Sequence, residues 1–165
     1  MKTYVLERIQ TLPRPVNEVF PFFEAPENLG RITPPWLAFR TLTPSPVDIK
    51  QGTVIEYTIR WLGIPIRWRT LIVAYQPPGL FVDEQLKGPY SFWHHTHTFV
   101  STGRGTEMSD LVRYRLPGAI LGDLLHSLFI RRQLDQIFDY RQRTIAEIFA
   151  SPTVLRPTKE TVVLS

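Results

Sequence analysis

The stretch at residues 81–99, FVDEQLKGPYSFWHHTHTF, decides both the fold and the site predicted for this chain. It is typical of two strands joined by a turn at residues 87–90, because Gly and Pro separate two runs rich in Phe, Val, Thr and Trp. Side chains along a strand alternate between the two faces of a sheet. One face of the second strand therefore carries two imidazoles between two large aromatic rings, on Trp93, His95, His97 and Phe99. We expect that face to line a cavity.

The preceding strand adds Asp83 and Gln85 to the predicted lining. The length of the turn decides which histidine faces Asp83, because a slip of one residue exchanges the two faces of a strand. A two-residue or four-residue turn puts His94 on the face of Asp83. A loop of odd length unites Asp83 with His95 and His97, and this is the pairing that we predict.

Composition is typical of a single globular domain. The chain has 165 residues, of which 43% are hydrophobic and 12% aromatic, enough for one core and too many for a disordered protein. It has no cysteine, which excludes disulfides and cysteine-ligated metals. No export signal and no apolar run of membrane-spanning length is visible. The absence of cysteine fits the cytoplasmic location that we expect. The net charge of +4 is scattered, so we expect no nucleic-acid partner and at most peripheral membrane contact.

The predicted elements are a first strand at 3–12, two short helices at 16–25 and 26–33, six further strands and a long helix. The six later strands are expected at 37–43, 53–62, 64–76, 80–87, 90–101 and 105–116. The long amphipathic helix follows Pro117-Gly118 and ends near Ala150. Its apolar stripe is Leu121, Leu124, Leu125, Leu128, Leu134, Ile137, Phe138, Ile145, Ile148 and Phe149.

A run of strands followed by one helix predicts an α+β domain with an antiparallel sheet. We expect a curved sheet of seven strands that wraps around the long C-terminal helix, in a single domain covering residues 1–150. The tail at 151–165 contains two prolines and is predicted to be mobile. The gap between helix and sheet is the expected pocket.

Alternation along the remaining strands completes the predicted lining. Asp110 falls among apolar neighbours, where a lone carboxylate would cost several kcal/mol unless it is paired, hydrogen-bonded or protonated. Aromatic walls with a few polar groups are typical of pockets for small molecules. The predicted ligand-binding residues are Tyr57, Trp68, Asp83, Gln85, Trp93, His95, His97, Phe99, Asp110, Tyr114 and Phe138.

A family resemblance rests on residues spread over 1–150: Pro13-Arg14-Pro15-Val16, Val19-Phe20, Phe23, Asn28-Leu29, Ile32-Thr33-Pro34, Gly52, Tyr57, Trp68, Pro77-Pro78, the 81–99 stretch, Gly105-Thr106, Asp110, Tyr114, Pro117-Gly118 and the closing helix. On these residues the chain resembles the START/birch-pollen-allergen superfamily of helix-grip proteins (SRPBCC), close to bacterial ligand-binding and polyketide cyclase/dehydrase-like members. The resemblance implies a helix-grip fold and a hydrophobic cavity for a lipid, polyketide or quinone-like ligand, without a cofactor. It specifies the fold better than the chemistry, since this fold hosts carriers, cyclases and hydrolases alike.

Several roles stay open for the polar residues. They can orient a bound ligand, which is the function we expect, or they can simply satisfy one another inside the fold. In the alternative, a buried Asp–His pair acts as an acid–base catalyst of the cyclase or dehydratase kind, with His95, His97, Asp83 and Asp110 as candidates. No activated nucleophile is recognisable.

Two further possibilities receive less support from the sequence. His95-x-His97 with Asp83 or Asp110 has the composition of a two-histidine, one-carboxylate metal site. The family that the chain resembles is not generally metal-dependent, so we assign no metal. A groove that holds a partner segment, with the TVVLS tail added to a sheet edge, is the other possibility.

Overall fold

An antiparallel sheet of seven strands organises the described part of the chain, which is residues 2–61, 63–117 and 129–150 of this computed structural model. The strands are β1 (Tyr4–Leu12), β2 (Arg40–Thr41), β3 (Val54–Trp61), β4 (Ile64–Gln76), β5 (Leu80–Lys87), β6 (Phe92–Thr102) and β7 (Gly105–Arg115). The helices are α1 (Val16–Phe23), two 3-10 helices (Pro26–Ile32 and Pro35–Leu37) and α2 (Arg131–Ala150). The predicted α+β class is confirmed.

The strand order is β1-β7-β6-β5-β4-β3-β2. Each strand from β3 to β7 pairs with its neighbour in sequence, and β1 adds to the far side of β7. Strand β6 therefore lies between β5 and β7, so its inward side chains meet side chains from both neighbours. This position gives the 81–99 stretch its central place in the sheet.

One predicted strand is much shorter than expected. Only Arg40–Thr41 of the predicted 37–43 strand pairs with β3. The segment Pro35–Leu37 forms a 3-10 turn instead, and Ala38 follows in the left-handed region at φ 45°. A left-handed residue interrupts an extended backbone, so the strand begins only beyond it.

The long helix covers the sheet with the apolar stripe predicted for its second half. Leu134, Phe138, Ile145 and Phe149 are all buried, at the spacing that puts residues on one helix face. The predicted stripe residues Leu121, Leu124, Leu125 and Leu128 and the tail at 151–165 lie outside the described residues. Within the described ranges, no helix is long and apolar enough to cross a membrane.

Two apolar clusters fill the space between the sheet and α2. One gathers Trp68, Tyr90, Trp93 and Phe138, together with other buried residues. The second gathers α1 and the end of α2, and includes Phe20, Phe22, Phe81, Phe99 and Phe149. The inward residues of β6 run from the first cluster to the second, so the two histidines lie where the clusters meet.

Candidate functional site

The pairing of β5, β6 and β7 brings two carboxylates to two imidazoles. Asp83 is the register partner of His95 across β5 and β6, and Asp110 is the register partner of His97 across β6 and β7. Directly opposed residues share a sheet face. The prediction that Asp83 shares its face with His95 and His97, and not with His94, is therefore confirmed.

Both histidines bridge the two carboxylates, and we call Asp83, His95, His97 and Asp110 the His–Asp cluster. His95 Nε2 lies 2.9 Å from Asp110 Oδ1, and His97 Nε2 lies 3.1 Å from Asp83 Oδ2. His97 Nδ1 lies 2.8 Å from Asp110 Oδ1, but the oxygen is out of line with the N–H, so this contact is an ion pair rather than an aligned hydrogen bond. His95 Nδ1 is 3.6 Å from Asp83 Oδ2, beyond hydrogen-bonding distance. The ring centroids are 3.7 Å apart.

Aromatic rings hold the two imidazoles in place. Phe81 stacks on His97 with ring centroids 4.1 Å apart, and Phe138 meets His95 edge-on at 5.7 Å. His95 is 5% exposed and His97 is 3% exposed, so both imidazoles are desolvated. On the other side of the pair, the Thr70 hydroxyl lies 3.1 Å from Asp83 Oδ1. Packing and hydrogen bonds thus fix the orientation of every ring in the cluster.

Arg141 joins the cluster from α2, although it was not among the predicted site residues. Its Nε lies 4.0 Å from Asp110 Oδ2, and its side chain is only 13% exposed. The sequence contains a signal for it, because Arg141 stands three residues after Phe138 and four before Ile145, on the buried stripe of the helix. The predicted stripe included apolar residues alone.

Burial and the facing charges set the pKa values of the cluster. Burial raises the pKa of a carboxyl group, but the hydrogen bond from His97 and the charge on both imidazoles bring the pKa of Asp83 below its ordinary value. Burial is likewise outweighed at Asp110, whose pKa lies well below its ordinary value beside Arg141 and the two imidazoles. Burial and the nearby His97 lower the pKa of His95. Burial also acts on His97, but the two carboxylates outweigh it and raise the pKa of His97. The two carboxylates thus favour the protonated form of His97, whereas burial favours the neutral form of His95.

A cavity of about 180 Å³ lies between the inner sheet face, the short helices and α2. Its lining is mainly apolar, and Asp83, Arg141 and the two imidazoles of the cluster form a polar part of the wall. The predicted ligand-binding residues that line it are Tyr57, Trp68, Asp83, Trp93, His95, His97 and Phe138.

Four predicted lining residues do not line the cavity, and each has another partner. Gln85 holds the turn after β5, where its amide donates to the Tyr90 carbonyl at 2.7 Å. Phe99 lies deeper in the core, 5.3 Å from the ring of Phe20. Tyr114 is buried within the first apolar cluster. Asp110 lies behind the histidines rather than in front of them.

Two side chains that line the cavity each carry a buried hydrogen-bond donor with no acceptor among the described residues. Trp68 Nε1 and Arg141 Nε are buried, and neither has a hydrogen-bond partner among the described residues. Both side chains line the cavity. An unpaired buried donor costs about 1–3 kcal/mol, so these groups are suited to an acceptor that occupies the cavity.

Comparison with known proteins supports the architecture. No protein-family model and no curated protein sequence matches the chain. Protein CV1439 from Chromobacterium violaceum is similar over 90% of this chain and 99% of its own, with a TM-score of 0.70 at 12% identity. TTHA0849 from Thermus thermophilus is similar over 92% of this chain and 100% of its own, with a TM-score of 0.65 at 18% identity. Ara h 8.0201, a Bet v 1-like protein, is similar over 90% of this chain and 99% of its own, with a TM-score of 0.63 at 15% identity. The chain therefore has the helix-grip fold of Bet v 1-like proteins, as its sequence predicts.

Proposed function

We propose that the protein binds a small hydrophobic or amphipathic molecule, such as a lipid, a polyketide or a quinone-like compound, in the cavity between the sheet and α2. The observation that carries this proposal is the cavity itself, which is mainly apolar and has one polar region on its wall. Pockets for small molecules combine apolar walls with a few placed polar groups in this way. Bet v 1-like neighbours of similar architecture add support at the level of the fold.

The unpaired donors on the wall favour an amphipathic ligand over a hydrocarbon. Trp68 Nε1–H and Arg141 Nε–H have no protein acceptor among the described residues. A carbonyl or carboxylate oxygen of a ligand would satisfy them, and a hydrogen bond from a charged donor contributes about 1.5–3 kcal/mol. The polar end of the ligand would therefore lie toward Arg141, and its apolar part along the aromatic wall.

Catalysis on such a ligand receives less support. A general base needs a ring nitrogen free to take a proton from the substrate. In the His–Asp cluster three of the four ring nitrogens lie 3.1 Å or less from a carboxylate oxygen, which leaves His95 Nδ1, 3.6 Å from Asp83 Oδ2, as the single candidate base. We therefore propose binding rather than acid–base catalysis.

A cavity-filling variant tests the proposal. Ile137 lines the cavity from α2, whereas Ile148 of the same helix packs into the second apolar cluster and does not line it. We expect Ile137→Trp to weaken binding of decanoate at least ten-fold, measured by displacement of a fluorescent anilinonaphthalene sulfonate probe. The matched control Ile148→Trp should bind as the unaltered protein does. Equal binding by both variants would place the ligand elsewhere and refute the proposal.

Native mass spectrometry addresses the identity of the ligand. The protein purified from its own host should carry a bound mass of a few hundred daltons.

Because Trp68→Phe removes one unpaired donor and keeps an aromatic ring, it should weaken binding of decanoate several-fold. An unchanged decanoate affinity in this variant would show that Trp68 does not contact the polar end.

A further inference from the structure

We propose that Asp83, His95 and His97 form a binding site for one divalent transition-metal ion at the wall of the cavity. The sequence left the carboxylate open between Asp83 and Asp110, and it assigned no metal because the family that the chain resembles is not generally metal-dependent. The arrangement of the side chains selects Asp83, because it lines the cavity with both histidines while Asp110 does not. This inference is independent of the ligand proposed for the cavity.

Three potential ligand atoms lie close together. Asp83 Oδ2 is 3.1 Å from His97 Nε2 and 3.6 Å from His95 Nδ1. One ligand atom from each residue lies within 4.8 Å of the other two. Bonds of about 2.0–2.2 Å to a common ion separate neighbouring ligand atoms by about 2.8–3.6 Å in octahedral or tetrahedral geometry. The Asp83–histidine separations already have the size that a metal requires.

The outer nitrogens of both imidazoles face a second carboxylate. His95 Nε2 lies 2.9 Å and His97 Nδ1 lies 2.8 Å from Asp110 Oδ1. A metal-bound histidine almost always donates its other N–H to a carboxylate, a carbonyl or water, which fixes the ring and strengthens the ligand. Asp110 makes this hydrogen bond with His95 Nε2 and lies beside His97 Nδ1 without an aligned bond, so it is the positioning residue chiefly for His95, and Arg141 lies 4.0 Å from Asp110 in turn.

The charge balance also favours a cation. With both imidazoles neutral, as metal ligands are, the carboxylates of Asp83 and Asp110 and the guanidinium of Arg141 leave one negative charge in a mostly buried space. A divalent ion compensates that charge, and the cavity in front of the three ligands leaves coordination positions open for a bound molecule. Two imidazoles and one carboxylate with open positions suit Fe²⁺, Zn²⁺ or Co²⁺, whereas Mg²⁺ and Ca²⁺ prefer all-oxygen sites.

Titration of the tag-free chain with Co²⁺ alone, after removal of metals with EDTA, tests the site. We expect one equivalent to bind, with visible absorption bands of a low-symmetry Co²⁺ centre. Asp83→Asn and His97→Gln should each weaken binding at least 100-fold. Asp110→Asn should weaken it about 10–100-fold, as loss of a partner outside the metal's own ligands does.

His94→Gln is the matched control. His94 stands on the opposite face of β6, where its Nε2 is 3.8 Å from Glu84 Oε1, and the variant should bind Co²⁺ normally. No stoichiometric binding by the unaltered protein would overturn the proposal, whatever the variants do. The proposal would also be overturned if Co²⁺ binding survived in the Asp83→Asn and His97→Gln variants, or if it disappeared in the His94→Gln variant. Decanoate binding measured in EDTA reports on the cavity separately, so either proposal can fail without the other.

Discussion

Asp110 offers the most direct test of the buried charges, because one substitution leaves several buried groups without their charged partner. Asp110→Asn keeps the shape of the side chain and removes its charge. His95 and His97 then lose the negative charge that both of them face, and Arg141 loses the carboxylate beside it. All of these groups are buried or nearly so, so water does not replace the lost partner.

The expected loss of stability follows from that burial. Removal of one partner from a buried ion pair destabilises a protein by about 3–5 kcal/mol, because an uncompensated charge remains inside. For a protein of this size, 1 kcal/mol corresponds to about 2–4 °C in the melting temperature. We therefore expect Asp110→Asn to melt about 6–20 °C below the unaltered protein when both are measured in EDTA.

Urea unfolding followed by circular dichroism gives the free energy of unfolding by linear extrapolation. Asp135→Asn is the control, because Asp135 pairs with Arg8 at 2.7 Å on the surface and its side chain is 40% exposed. An exposed pair contributes about 0–1 kcal/mol. If Asp110→Asn destabilised the protein no more than Asp135→Asn does, Asp110 would not be a charged partner of the imidazoles in the folded state.

Three further substitutions test packing and surface ion pairs. Gly105 has φ +126°, and a Cβ there would lie 2.1 Å from a backbone oxygen of β1. Gly105→Ala should therefore lower the free energy of unfolding in urea by at least about 2 kcal/mol, whereas Gly103→Ala, with open space around it, should change it little. Phe149→Ala removes a fully buried ring and should lose about 3–5 kcal/mol in the same assay; a loss below about 1 kcal/mol would contradict the packing of α2 on α1. Arg8→Gln breaks exposed ion pairs to Asp135 and Asp139 and should lose less than about 1 kcal/mol; a larger loss would mean that these pairs anchor α2 to the sheet.

The strands were predictable because their signals are local. Period-two alternation identified β3 to β7 to within about two residues, and Gly or Pro marked the turns between them. The predicted strand at 37–43 is shortened to Arg40–Thr41 for a reason that alternation does not reveal. The left-handed backbone at Ala38 and the 3-10 turn before it take up the start of that segment, so pairing begins only at Arg40.

The sequence predicted which face of the sheet carries the site, but not how far the cavity extends along that face. Alternation states which side of the sheet a residue occupies, and on that basis His95, His97, Asp83 and Asp110 were correctly brought together. It does not state how far along that face the cavity extends. Gln85 therefore lies near the turn, outside the lining, although it shares the face of Asp83.

The remaining parts of the site depend on how α2 rests on the sheet. Arg141 meets Asp110 only because the helix crosses the sheet at that height, a long-range arrangement that no local pattern encodes. Helical spacing alone places Arg141 on the buried stripe. A charged residue on an apolar stripe is therefore a useful signal for a buried partner.

Stability does not explain why a group of buried charges stands between two apolar clusters. Replacing a whole buried ionic network with apolar side chains of similar volume is often neutral or stabilising by about 1–4 kcal/mol, whereas removing one member is strongly destabilising. The His–Asp cluster is thus sensitive to interruption without being required by the fold. Three of its four members, Asp83, His95 and His97, border the cavity between the sheet and α2. That location is what a ligand or a metal ion would use, and it is the physical reason to look for function there.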